Sequence, residues 1–577
     1  MSNLKLFVMI IRPTLFNKIS TIIILILFFV SCAETEIEKI NREFKEFVKD
    51  YEQKVIPLYQ KYNEAAYNAA TTGDEEQYQL AAEYKIMLSK IHSNKESFKK
   101  LKYIKDSKLV SEPILKRELE ELYNLFLPNQ IEESKLVEII TLENEIKRKF
   151  NTFRPEVDGK AVSVNKIEEI LRTSNNEEEL KKYWETSKRV GEIVSADLIE
   201  LVKKRNEAAK ELGFNNYYEM MLITHGQNPE EIEEIFDDLD MLTRGPYMQL
   251  KDEIDAYLSQ KYNVDPEELM PWHYQNRFFQ KAPAIYDINF DKFYKNVKPV
   301  ELVKKYFNGI GLNIDDVLDN SDLYPKAQKS QLAYTTDIDR KGTVRILANI
   351  ENSMSSMTTL LYESGFAAYL KYIGNDLPFA LHKPPQFAAN DAVGTLFSSF
   401  STNIGWLQKV AGVSKNNSEN LKEVSLKQLR LEKFVFARWA QVMYRFEQEL
   451  YNDPEQDLNA LWWNLVEQYQ IVNRPPDRNA PDWATKTHLI TMPCSYHNYM
   501  LGELIASQIH FYIKQNILND EGSNCDTKCI DNPEIGKYMI EKLFKPGAEY
   551  DLNQWLKNAT GEELSPDFYT NQYIKIN

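Results

Sequence analysis

Thr358-Thr-Leu-Leu-Tyr-Glu-Ser-Gly-Phe-Ala-Ala-Tyr-Leu370 decides how the rest of the chain is read. Leu360, Leu361, Phe366, Ala367 and Leu370 recur at helical spacing with no proline between them, so the stretch predicts one buried helix. A single carboxylate, Glu363, interrupts its apolar character. It stands next to Tyr362 and three residues before Phe366, and residues four apart such as these two aromatics share a helix face.

A zinc hydrolase presents His-Glu-x-x-His on such a helix, two imidazoles for the metal and a Glu that activates water. Here the pattern is Tyr-Glu-x-x-Phe. Read on its own, Glu363 is a carboxylate paired or solvated at the edge of a packed helix. The flanking chain decides between that reading and the remains of a metal site.

The 577 residues carry 19 Gly and 23 Pro, few for that length, and 43% hydrophobic residues. Long Leu/Glu/Lys/Tyr stretches with few breakers predict an all-α chain. A net charge of −16 with no basic stripe argues against nucleic acid as a partner.

Residues 1–31 read as a signal segment. Lys5, Arg12 and Lys18 precede an apolar run, Ile19 to Val30, that is short for a membrane span. Phe29-Val-Ser-Cys32 then resembles a bacterial lipobox. That resemblance implies that Cys32 is lipidated and starts the mature chain, held on a membrane outside the cytoplasm at the periplasmic or cell-surface face. The other readings of this segment are an ordinary signal peptide or a membrane anchor. Of the remaining cysteines, Cys494, Cys525 and Cys529, the last two flank a polar stretch where a local disulfide suits an extracytoplasmic chain.

From Glu34 to about Lys105 the pattern predicts a helical hairpin. Helices follow over Ile114–Leu125 and Glu132–Phe150, then two more between Glu178 and Leu212. Asn228-Pro229 opens another that Pro246 is expected to kink. Gln331–Asp339 and Thr343–Ile350 alternate around Arg340-Lys-Gly342 and predict a β-hairpin, the one notable sheet. Helices return at Asp391–Val410, Leu421–Tyr451, Leu458–Gln470, Tyr499–Ile517 and Pro533–Leu543. No composition shift divides residues 32–577, which read as one domain.

Four stretches together resemble the angiotensin-converting-enzyme family of zinc peptidyl-dipeptidases: Leu201 to Phe214 with Tyr217-Tyr218, Trp462-Trp-Asn-Leu465 with Tyr469-Gln470, Lys486-Thr-His488 with Tyr496 and Tyr499, and the Thr358 helix with Asp376-Leu-Pro378 and Asn390-Asp-Ala-Val-Gly394 behind it. The resemblance implies a two-lobed helical ellipsoid with a deep central cleft and lid helices over residues 34–150. It places Tyr362 and Phe366 at the zinc-histidine positions, Glu363 at the general base, and Asp391 at the third ligand. Thr395 replaces a carboxylate that orients a ligand histidine. His488 falls where the family binds the substrate carbonyl, Tyr499 where it stabilises the oxyanion, and Lys486 and Tyr496 where it grips the C-terminal carboxylate. Val466 and Asn498 stand where the family has chloride-binding arginines.

Catalytic zinc needs three strong protein ligands and an open position. Phe offers none, a neutral phenol is weak, and Asp391 alone is too little. The expectation is therefore a chain without the family's zinc, with no cofactor, catalytically silent and binding peptides with a free C-terminus. Val344–Ile350 is expected to align such a peptide by strand addition. His382, nine residues before Asp391, is a further candidate ligand. Two rival readings are an active metallopeptidase or other hydrolase with a non-standard site, and a structural interaction protein with a vestigial cleft.

Overall fold

A computed structural model of the chain describes residues 34–520 and 527–574. Within them, the molecule is all-α apart from two short antiparallel hairpins, Glu156–Val157 with Lys160–Ala161 and Tyr334–Asp337 with Val344–Leu347. The first hairpin has no counterpart among the elements expected from the sequence pattern. Cys32 and Cys525 lie outside the described residues. Cys494 is free and buried, and Cys529 is disulfide-bonded.

Local chemistry sets the helix ends. Thr35 caps the Glu36–Thr72 helix through a reciprocal pair: its hydroxyl accepts from the Glu38 amide, and the Glu38 carboxylate accepts from the Thr35 amide at 2.9 Å. The expected N-terminal hairpin is instead three helices, Glu36–Thr72, Glu75–His92 and Lys95–Ser107. The breaks fall where Asp74 and Asn94 accept from the Glu76 and Ser97 amides and start new helices. The two helices expected between 178 and 212 are one, Glu177–Glu211, because nothing between its caps breaks the pattern. Pro246 sits inside an uninterrupted helix, Pro229–Tyr262. Leu552–Thr560 and Asp567–Ile574 add two helices near the end of the chain that the pattern did not reveal.

Two hydrophobic cores organise the molecule. The larger runs from Ile131 to Tyr573. The smaller is built by the N-terminal helices, from Ile40 to Phe126, around Phe379 and Ala380 of the body. Arg340, at the tip of the 334–347 hairpin, joins the two. Its guanidinium lies 4.7 Å from the Tyr59 ring and donates to the Phe379 carbonyl at 3.0 Å.

The hairpin register pairs Tyr334 with Leu347 and Asp337 with Val344. On its far side Val344–Leu347 is also occupied: Asp322 bridges it in parallel, donating to the Ile346 carbonyl at 3.0 Å. Strand addition onto Val344–Ile350 is therefore blocked at both edges. Among the described residues the open edge belongs to Tyr334–Asp337.

Beside the hairpin lies the Met354–Lys371 helix. It packs on Phe387–Ser398, which packs in turn on His497–Tyr512. Two glycines allow this stack to close. A Cβ on Gly394 would sit 2.8 Å from the Tyr362 ring, and one on Gly502 would overlap the Asp391 carboxylate. Among the described residues, no helix is long and apolar enough to cross a membrane.

Candidate functional site

The stack brings Tyr362, Glu363 and Asp391 together from two helices. Glu363 is 7% exposed, and its Oε2 accepts from Thr335 Oγ1 at 2.6 Å. Burial pushes its carboxyl up to about 7, with the Thr335 hydroxyl working the other way. Asp391, 3% exposed, is also pushed by burial to about 7. The Tyr362 hydroxyl donates to Asp391 Oδ1 at 2.5 Å. Burial first, and then the neighbouring Asp391 charge, hold the Tyr362 phenol far above its ordinary range. Phe366 stacks beside it, ring centroids 6.1 Å apart and planes at 28°.

This set does not fit zinc. Phe366 has no lone pair, and the Tyr362 oxygen and the Asp391 carboxylate are spent on each other. Among the described residues, no group of three or more His, Cys, Asp or Glu side chains is placed to hold a metal ion. Thr395 borders a small cavity with Lys433 and Glu503 and supplies no carboxylate toward the stack. His382 is buried with both ring nitrogens unpartnered, and the charges acting on it are Arg340 and Asp339 of the hairpin tip.

The remaining candidates form a contiguous aromatic and basic wall. Lys486 follows the Asp482–Thr485 turn, His488 starts a single helical turn, and Tyr496 leads into the His497–Tyr512 helix. The His488 ring lies 5.1 Å from Tyr496 and 6.2 Å from Tyr499, and the two tyrosines are 5.4 Å apart. Tyr499 is close enough to Asp391 and Tyr362 for their charges to act on one another. Among the described residues its hydroxyl has only Met492 Sδ as a partner, at 3.6 Å. His488 Nδ1 is buried without a partner, and burial, reinforced by Lys486, lowers its imidazole to about 4.

Lys486 is the most constrained member. It is 5% exposed, donates to Gln280 Oε1 at 2.5 Å, and rests 4.9 Å from the ring centroids of both Trp439 and Tyr496. Tyr496 in turn accepts from Trp439 Nε1 at 2.7 Å. Burial, and then Arg277 and Lys281, lower the Lys486 ammonium to about 7. A carboxylate brought here would regain the charge-assisted contact that the free pocket denies it.

Asn498 carries no charge. It accepts from Gln227 Nε2 at 2.7 Å, and Gln227 Oε1 meets His497 Nε2 at 2.8 Å. Val466 opens a π-helical turn, Val466–Gln470, whose Gln470 amide donates to the Phe278 and Phe279 carbonyls.

Three residues of this region escaped the sequence reading. Gln280 lies in an irregular stretch and Thr335 on a strand, and neither carries a local signal. Lys188 did carry one, because it follows Leu180 and Trp184 at four-residue steps on the apolar stripe of its helix.

The family model described as angiotensin-converting enzyme matches residues 38–275 and 285–568. The chain is also similar to oligopeptidase A of Haemophilus influenzae, with 22% identity over 448 residues, 67% of this chain and 61% of that protein. It thus spans less than two thirds of that relative's length.

Proposed function

Since this chain belongs to the angiotensin-converting enzyme family of peptidases, we propose that it keeps the family's peptide cleft and has lost hydrolysis. One observation carries this reading: Tyr362 and Asp391 satisfy each other at 2.5 Å where two ligands and a metal belong. Without a metal, the water available to Glu363 has a pKa of about 15.7 and is not a useful nucleophile. The binding wall is intact by comparison. Lys486 holds a free peptide carboxylate with Gln280 and Tyr496 beside it, while His488 and Tyr499 face the peptide carbonyls. Tyr334–Asp337 offers an open edge along which an extended peptide runs. In this proposal lipidated Cys32 holds the protein on the membrane.

Hydrolysis without metal is the second reading, favoured by a Glu363 carboxyl poised near 7 as a general base. Elemental analysis, a dipeptide-release assay and calorimetry with free-acid peptides on the purified protein separate the two. The proposal expects no stoichiometric zinc, no dipeptide release and measurable peptide affinity. Chelator-sensitive cleavage with one zinc per chain would overturn it. Chelator-insensitive cleavage lost in Glu363→Gln would establish the second reading in its place.

A further inference from the structure

Three cations crowd one ring. Lys188 Nζ lies 3.6 Å, Lys486 Nζ 5.3 Å and the Arg277 guanidinium carbon 5.5 Å from the Phe278 centroid. The nearby carboxylates are engaged elsewhere. Glu168 accepts from Arg277 Nε at 2.7 Å, and Asp482 is held by both Nε and Nη2 of Arg478 at 2.7 and 2.6 Å. Among the described residues neither Lys188 nor Lys486 has an ion-pair partner.

Both lysines are buried, at 3% and 5% exposure. Aromatic faces return to such an ammonium less than its loss of water costs. Burial accordingly lowers both amines. The arrangement is held, not loose. Trp184 Nε1 donates to the Arg277 carbonyl at 3.1 Å, and Gln470 holds the Phe278 and Phe279 carbonyls. Lys188, Arg277, Phe278, Trp462 and Val466 border a narrow cavity beside the ring.

One free C-terminal carboxylate satisfies Lys486 and leaves Lys188 without an anion. We propose that this pocket selects peptides whose last residue is itself acidic, the backbone carboxylate on Lys486 and the side-chain carboxylate on the Lys188 side of Phe278. Lys188 and Lys486 lie 3.6 and 5.3 Å from the same centroid, and a C-terminal Glu or Asp carries two carboxylates, one to offer each ammonium. This selectivity rests on the peptide-binding reading above.

Calorimetry on the wild-type protein with acetyl-Ala-Ala-Ala-Glu, acetyl-Ala-Ala-Ala-Gln and the Gln peptide amide tests it. The Glu peptide is expected to bind roughly ten-fold or more tightly than the Gln peptide, the size of one charge-assisted contact. The Gln peptide is expected to bind more tightly than its amide. Lys188→Met should bring the Glu-to-Gln ratio to near one; a thioether of similar length in an apolar cage retains the packing. Equal affinity of the Glu and Gln acids for the wild type would overturn the acidic selectivity, with a preference over the amide still supporting peptide binding. Binding of none of the three would overturn both.

Discussion

At Asp391 the physics can be read directly. Its carboxyl is raised from an ordinary value of 3.8 to about 7 by burial, so the folded state keeps its proton longer than the unfolded chain does. The stability this contributes is complete below 3.8 and falls as pH climbs through about 7, by about 1.4 kcal/mol for each pH unit of that interval. Asp391→Asn keeps the acceptor for Tyr362 but never ionises. The Tm of this variant relative to wild type should therefore rise between pH 5 and pH 8. The buried histidines, which act in the opposite sense, cancel in that difference. A difference independent of pH would show that Asp391 does not titrate here. The same residues set the terms for restoring a metal. Tyr362→His alone gives two donors with Asp391, one short of a catalytic set. Tyr362→His with Phe366→His and Asp391→Glu supplies three beside Glu363. The triple variant without metal should lose roughly 1–3 kcal/mol from burying polar rings, and zinc at a hundred times its Kd should return about 2.7 kcal/mol. Elemental analysis and Tm with and without a chelator measure both. Stoichiometric zinc in the single variant would contradict the donor count.

Among the elements, the hairpin and the helix beside it act as one unit. Tyr334–Asp337 carries the open edge, and its Thr335 hydroxyl holds the Glu363 carboxylate, so a peptide paired on this strand runs directly past Glu363. In an antiparallel or parallel ladder only alternate residues of the added strand face the edge. N-methylation along a bound peptide should therefore weaken it at every second residue, by about 0.5–1.5 kcal/mol for each lost hydrogen bond. Calorimetry with a series of singly methylated peptides reads this out, and a flat series would exclude strand addition. The hairpin itself was legible in the sequence, because alternation around Arg340-Lys-Gly342 is a local signal. Which strand stays open was not, since Asp322 closes the other edge from outside the motif. Helix existence was legible for the same reason as the hairpin. The break at Gly73-Asp74 does carry a local signal, a left-handed glycine that ends one helix and an Asp that caps the next.

For the whole molecule, the proposed lipidation within Phe29-Val-Ser-Cys32 has a direct test. Cys32→Ala should abolish lipid labelling and move the protein from the membrane to the soluble fraction. Membrane retention of the variant would mean that the first segment is itself the anchor.

The sequence by itself determined what short-range chemistry determines: a helical chain, one hairpin before the Tyr362 helix, and the loss of imidazoles at Tyr362 and Phe366. It also determined the family, since four separated stretches keep their order. Tertiary structure alone decided that the vacated place is filled and not open. Tyr362 reaches Asp391, twenty-nine residues away in sequence, only because Gly394 and Gly502 let three helices close on each other. It also decided that Lys188 and Lys486 meet at one ring from far-apart positions. Residue type fixes which contacts a side chain can make, but burial and partner depend on distant segments, and no local pattern encodes those.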